Sequence, residues 1–136
     1  MKAALIGICV LTPLVAAAQP LDLKVGAWEM THRSSALPRP MMEKECLTKA
    51  DLAELARGPD KDDDDSCKLV KPPLVNGKTW SADKVCEGDR KVHAEFTAET
   101  PERVRGFIAV SATKGSKAMN FEVAGRWIGA SCSGIK

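Results

Sequence analysis

Apolar and polar side chains alternate through VGAWEMTHR, residues 25 to 33, placing Trp28, Met30 and His32 on one side of an extended strand and Glu29, Thr31 and Arg33 on the other. SSALPRP ends that strand, because Pro38 and Pro40 cannot donate to a ladder, and MMEKECL reads as a second short strand. From Cys67 onward the period of two returns repeatedly. CKLVKPPLV leads to Asn76-Gly77, a dipeptide that favours a tight hairpin, and KTWSADKVC comes back from it. Pro72 and Pro73 restrict the outgoing arm to an edge or a bent strand. After EGDR, KVHAEFTAE carries Val92, Ala94 and Phe96 on one face; after TPE, RVRGFIAVSAT carries Val104, Ile108 and Val110. After KGS, KAMNFEVAGRWIG carries Met119, Phe121, Val123 and Trp127, with Gly125 offering a bulge or bend.

One helix stands out, in CLTKADLAELARGP. Thr48 can cap its N-terminus, Asp51 follows three residues on as in a capping box, and Leu47 is placed to staple onto Leu52. Gly58 and Pro59 stop it, so the expected helix covers residues 49 to 57. Leu52 and Leu55 are its only large apolar residues, enough to lie against a sheet as a lid. Strands of this length and spacing, each with one apolar face, imply an antiparallel meander. A flat sheet under one short helix would leave that face wet, and curling removes both the wet face and the free edges. The expected fold is mainly β (α+β): a curved antiparallel meander or partly open barrel of about six to seven strands with one short helix. No internal repeat or low-complexity linker divides it.

The opening MKAALIGICVLTPLVAAAQP has one charge at Lys2, an apolar run from Ala3 to Val15 and small residues Ala16 to Ala18, the layout of a secretory signal peptide cleaved after Ala18. The run is shorter than the roughly 20 residues that span a bilayer, and Pro13 interrupts it. Residues 19 to 136 then form one mature domain without a membrane span, and the expected location is periplasmic. Without Lys2 the 20 basic side chains become 19 against 18 acidic ones, a balance that gives nucleic acid no electrostatic reason to bind.

Cys9 leaves with the signal, and Cys46, Cys67, Cys86 and Cys132 remain, an even count that reads as two disulfides in an oxidising compartment. No spacing is Cys-x-x-Cys, which disfavours a zinc ribbon or a thioredoxin-type pair. Of the three pairings, Cys46 with Cys67 and Cys86 with Cys132 is favoured: the first closes a local excursion, and the second ties a middle strand to the C-terminal end.

GAWEM, ECLTKADLAEL ahead of an acidic loop and SCK, the strand from Trp80 to Cys86 and the ending GRWIGASC together resemble the bacterial export family catalogued as domain of unknown function 3617. The resemblance covers about residues 25 to 132. It implies an exported bacterial protein, usually periplasmic, whose biochemical role is unassigned, and it carries over a four-cysteine framework but no catalytic residue. Many members have Met-Pro and Met-Gly rich segments, whereas the methionines of this chain are scattered.

Among candidate chemistries, the run DKDDDD places Asp60, Asp62 and Asp64 at the first, third and fifth positions of a calcium loop. Asp65 stands where that loop needs glycine, and Lys71 where it needs a bidentate glutamate. Met30 and His32 share a strand face and offer soft and imidazole ligands to copper, but two residues do not complete a site. No serine sits in a Gly-x-Ser-x-Gly elbow, and paired cysteines are not nucleophiles, so no catalytic motif is recognisable. Trp28, Trp80 and Trp127 read either as core or as walls of a ligand cavity in a curved sheet. The reading that follows is a non-enzymatic binding or interaction module of the cell envelope without a cofactor, its partner a small apolar molecule, an envelope protein or peptidoglycan. A divalent-cation or copper binding protein using the acidic loop or Met30 and His32 is the alternative, and an enzyme the third.

Overall fold

The computed structural model describes residues 21–57 and 66–135. The segment read as a signal peptide and the acidic run with Asp60, Asp62 and Asp64 lie outside the described residues. Among those described, eight strands form one antiparallel sheet: β1 (Gly26–Arg33), β2 (Met41–Leu47), β3 (Cys67–Leu69), β4 (Leu74–Asn76), β5 (Thr79–Cys86), β6 (Arg90–Thr100), β7 (Arg103–Val110) and β8 (Met119–Gly129). A helix, α1 (Lys49–Arg57), lies between β2 and β3 in sequence. Its start is the expected capping box: Asp51 Oδ2 accepts from the Thr48 backbone N–H and from Thr48 Oγ1, both at 2.7 Å, and Thr48 Oγ1 accepts from the Asp51 N–H.

The sheet runs β2-β1-β8-β7-β6-β5-β3, with β4 also paired to β5, and it is open. The eighth strand comes from the prolines. Beyond β3, the Val70 N–H still donates to Asp83 O at 2.9 Å; Pro72 and Pro73 then interrupt the ladder, and pairing resumes at Leu74 opposite Ser81. Where Asn76-Gly77 is the expected turn, Asn76 is still paired to Thr79 and the two-residue turn is Gly77-Lys78, with Gly77 at φ +61°. Gly125 differs from expectation too. Pairing passes through it in register on both sides, and the bulge lies at Ala27/Trp28, opposite Gly129 and Trp127. The missing side chain of Gly125 instead makes room for Met30, whose Sδ would be 2.6 Å from a Cβ built there.

Register then sorts the faces. Val92, Ala94 and Ala98 on β6 stand opposite Val110, Ile108 and Val104 on β7, and Ile108 and Val110 stand opposite Phe121 and Met119 on β8, so the expected apolar positions share one face. The other face carries charges of both signs: Arg126 with Glu29 at 2.8 Å, Arg105 with Glu99 at 3.2 Å and His93 with Asp83 at 2.7 Å. On the apolar face the most protected side chains include Leu21, Trp28, Trp80 and Val123.

The favoured cysteine pairing is overturned. The bonds are Cys46–Cys132 and Cys67–Cys86. Cys67 stands directly opposite Cys86 in the β3–β5 ladder. Ala27 pairs with Cys46 on one side and Gly129 on the other, which brings Cys132, just past the end of β8, within a Cα–Cα distance of 5.5 Å of Cys46. The excursion from Cys46 to Cys67 is therefore not a local loop. It carries α1 from one edge strand of the sheet to the other, so its two cysteines are held by different partners.

Candidate ligand cleft

Trp28 is on β1 and Trp80 on β5, four strands apart in the order β1-β8-β7-β6-β5. On a flat sheet that is about 19 Å at the usual strand spacing. Both nevertheless line one cavity of about 190 Å³, which requires the sheet to curl around its apolar face. Met30, Phe96 and Val104 come from the strands on and between them, and Leu21, Leu23 and Leu55 close the cavity from the N-terminal segment and α1. The Phe96 ring packs on Trp80 with centroids 5.6 Å apart. It also lies over Gly106, where an added Cβ would fall 2.5 Å from Phe96 Cδ1. Glycines at 106 and 125 thus let two large side chains settle onto the sheet.

The indole N–H groups face away from ligand chemistry and toward backbone. Trp28 Nε1 donates to Lys24 O at 2.8 Å, and Trp80 Nε1 donates to Leu55 O at 2.6 Å. Leu55 belongs to the last turn of α1, whose carbonyls have no partner within the helix, so Trp80 satisfies one of them while fixing the helix on the sheet. Trp127, expected as a third wall, is not among the cavity's lining residues. Its Nε1 donates to Val25 O at 3.1 Å, and Lys24 Nζ sits 4.6 Å above its ring while also pairing with Glu102.

The inner cavity continues into an outer groove of about 670 Å³ that shares Glu45, Cys46, Leu47, Leu55 and Trp80 with it. Asp51, Glu54, Leu69, Pro73 and Lys84 complete the groove. Glu45, opposite Trp28 in the β1–β2 ladder, is the one charged group among the described residues common to both spaces. Partial burial raises its carboxyl above the ordinary value of 4.5, the neighbouring Glu43 raises it further, and His32 partly offsets both.

The other predicted site residues are not gathered. Met30 packs over Gly125 beside Val104. His32 Nε2 is 2.7 Å from Glu43 Oε1 without an aligned hydrogen bond. Among the described residues no group of three or more His, Cys, Asp or Glu side chains is arranged to hold a metal ion. On the polar face a shallow groove of about 840 Å³ runs between Thr31, Arg33, Arg105 and Glu122, with charges of opposite sign interleaved.

Sequence reasoning passed over Leu21, Leu23, Leu55 and Glu45 as cleft residues. The alternation of Leu21, Leu23 and Val25 in LDLKV could have signalled the first two. Glu45 carries no such signal, since its place at the rim depends on the pairing of β2 with β1. A family model described as Protein of unknown function (DUF3617) matches residues 20–132. No curated protein and no solved structure matches the chain.

Proposed function

The chain belongs to the DUF3617 family, and from its apolar cleft we propose that it is a non-enzymatic binding module of the bacterial cell envelope, exported to the periplasm, that takes a small apolar molecule or an apolar group of an envelope protein. The observation that carries this reading is the convergence of Trp28 and Trp80, from separate parts of the sheet, on one cavity whose only charged lining residue among the described residues is Glu45. A cavity of about 190 Å³ exceeds the ~150 Å³ at which an apolar protein cavity accepts benzene, so one aromatic ring or a short branched chain is the natural cargo. Export is supported by the two disulfides, which persist in oxidising compartments, and by the signal-like opening of the sequence. Among the described residues no helix is long and apolar enough to cross a membrane.

The test is a titration of the purified protein with benzyl alcohol, followed by tryptophan fluorescence and by calorimetry. Saturable binding is expected, and Leu55→Trp, which fills the cleft from the helix side, should abolish it while circular dichroism and the melting transition show an intact fold. Saturable binding that survives Leu55→Trp, or none in the wild type, would sink the cleft as the binding site.

A further inference from the structure

The rim of the cleft carries a charge bias that its interior lacks. Among the described residues, three carboxylates, Glu45, Asp51 and Glu54, line the outer groove together with one ammonium, that of Lys84. Asp51 is already committed to Thr48, at 2.7 Å to both its backbone N–H and its hydroxyl. Glu45 and Glu54 have no hydrogen-bond or ion-pair partner among the described residues. Trp28 and Trp80 line the inner cavity that adjoins this rim, and tryptophan is the aromatic side chain best suited to attract a cation. A neutral apolar cargo would use the interior and leave this rim idle; an anionic one would meet two unpaired carboxylates.

Resting on the cleft proposed above, we propose that the site selects amphiphiles bearing one ammonium group, the apolar part lying between Trp28 and Trp80 and the cation at the rim formed by Glu45 and Glu54. The electrostatics of Glu45 agree with this. Its carboxylate lies near Glu43 and is partly desolvated, so an arriving cation relieves an existing strain in charge. Lys84, on β5, biases the cation toward the β2 and α1 side of the groove.

Three probes of one shape and different charge test the proposal: benzylammonium, benzyl alcohol and phenylacetate, each titrated at neutral pH and low salt into the full mature chain. Benzylammonium should bind about fivefold more tightly than benzyl alcohol, the size expected for one solvent-screened ion pair, and phenylacetate should bind more weakly than either. Glu45→Gln should remove most of the preference for benzylammonium over benzyl alcohol, with circular dichroism and the melting transition showing an intact fold, which separates loss of selectivity from loss of fold. Lys84→Ala should increase the preference for the cation. Equal binding of all three probes, or tighter binding of phenylacetate, would overturn the charge selection and leave the cleft standing. A preference that persists undiminished in Glu45→Gln together with Glu54→Gln would overturn the rim as its source. If no probe binds, the cleft itself fails and the selection with it.

Discussion

The two ends of the sheet solve the same packing problem with matched parts. At the β1 end, the N–H of Trp28 holds the N-terminal segment through Lys24 O, and Met30 lies over Gly125; at the β5 end, the N–H of Trp80 holds α1 through Leu55 O, and Phe96 lies over Gly106. Each end also has a disulfide, but here the match stops. Cys67 and Cys86 are already opposite each other in a ladder, 19 residues apart in sequence. Cys46 and Cys132 are 86 apart and tie edge strand β2 to the tail beyond β8, across β1. The β5 end is cross-linked where backbone pairing already exists, and the β1 end where it does not. The β1 end therefore depends more on its covalent bond.

Removing each bond measures that difference. Replacing both Cys46 and Cys132 by alanine should cost about 4.5 kcal/mol, because a long loop is released in the unfolded chain, whereas the Cys67 and Cys86 double replacement should cost about 3 kcal/mol. Urea unfolding of the two variants checks the order. Equal losses, or a larger loss at Cys67 and Cys86, would show that the two ends are not distinguished by what their disulfides span.

The glycines sharpen the same comparison at smaller scale. An alanine at 106 would place its Cβ 2.1 Å from Glu95 O and 2.9 Å from Phe96 Cα, backbone atoms that move only if the β6–β7 ladder moves. An alanine at 125 would meet Met30 Sδ and Val104 Cγ1, both at 2.6 Å, and the methionine can swing aside. Overpacking of this kind costs about 1 to 3 kcal/mol, with Gly106→Ala at the upper end and Gly125→Ala at the lower. Thermal melts of the two proteins decide it, and the reverse order would mean that the β1 end is the more tightly packed. Trp80→Phe comes next: it keeps most of the ring but leaves Leu55 O without its donor, an expected loss of about 1 kcal/mol accompanied by faster amide exchange in α1.

What could be read in advance follows the range of the interaction. The helix bounds at Lys49 and Arg57 were legible because their signals are local: Thr48 and Asp51 act on each other three residues apart at the start, and Gly58-Pro59 in the sequence marks the stop. The β2 span was legible because Pro40 and the cap bracket it. The apolar faces of β6, β7 and β8 followed from alternation alone. The disulfide pairing was not legible, since it depends on β1 lying between β2 and β8, a contact between distant parts of the chain that no local pattern encodes. For the same reason two of the three tryptophans could be placed on the cleft only after register was known, and Trp127 fell outside it.

The smallest expected effect concerns the rim where the two ends meet. The Glu45 carboxyl is raised above 4.5, by burial first and by Glu43 second, with His32 from β1 opposing; among the described residues Asp51 and Glu54 from α1 and Lys84 from β5 are the other charges lining the groove there. A carboxyl whose folded pKa exceeds its unfolded one holds its proton more tightly in the native state. Stability from this group is accordingly lost as pH rises from the ordinary carboxylate value through the raised one, and is level above it. Glu45→Gln removes that loss. The variant should be the more stable protein at neutral pH, by no more than about 0.5 kcal/mol once solvent screening at this exposed rim is allowed for, and the advantage should vanish on acidification below the ordinary carboxylate range. Paired melts across that pH span test the sign. An advantage that grows toward low pH would mean that Glu45 is stabilised as a carboxylate, as it would be if His32 outweighed burial and Glu43, and the rim would then be neutralised from within before any cation reached it.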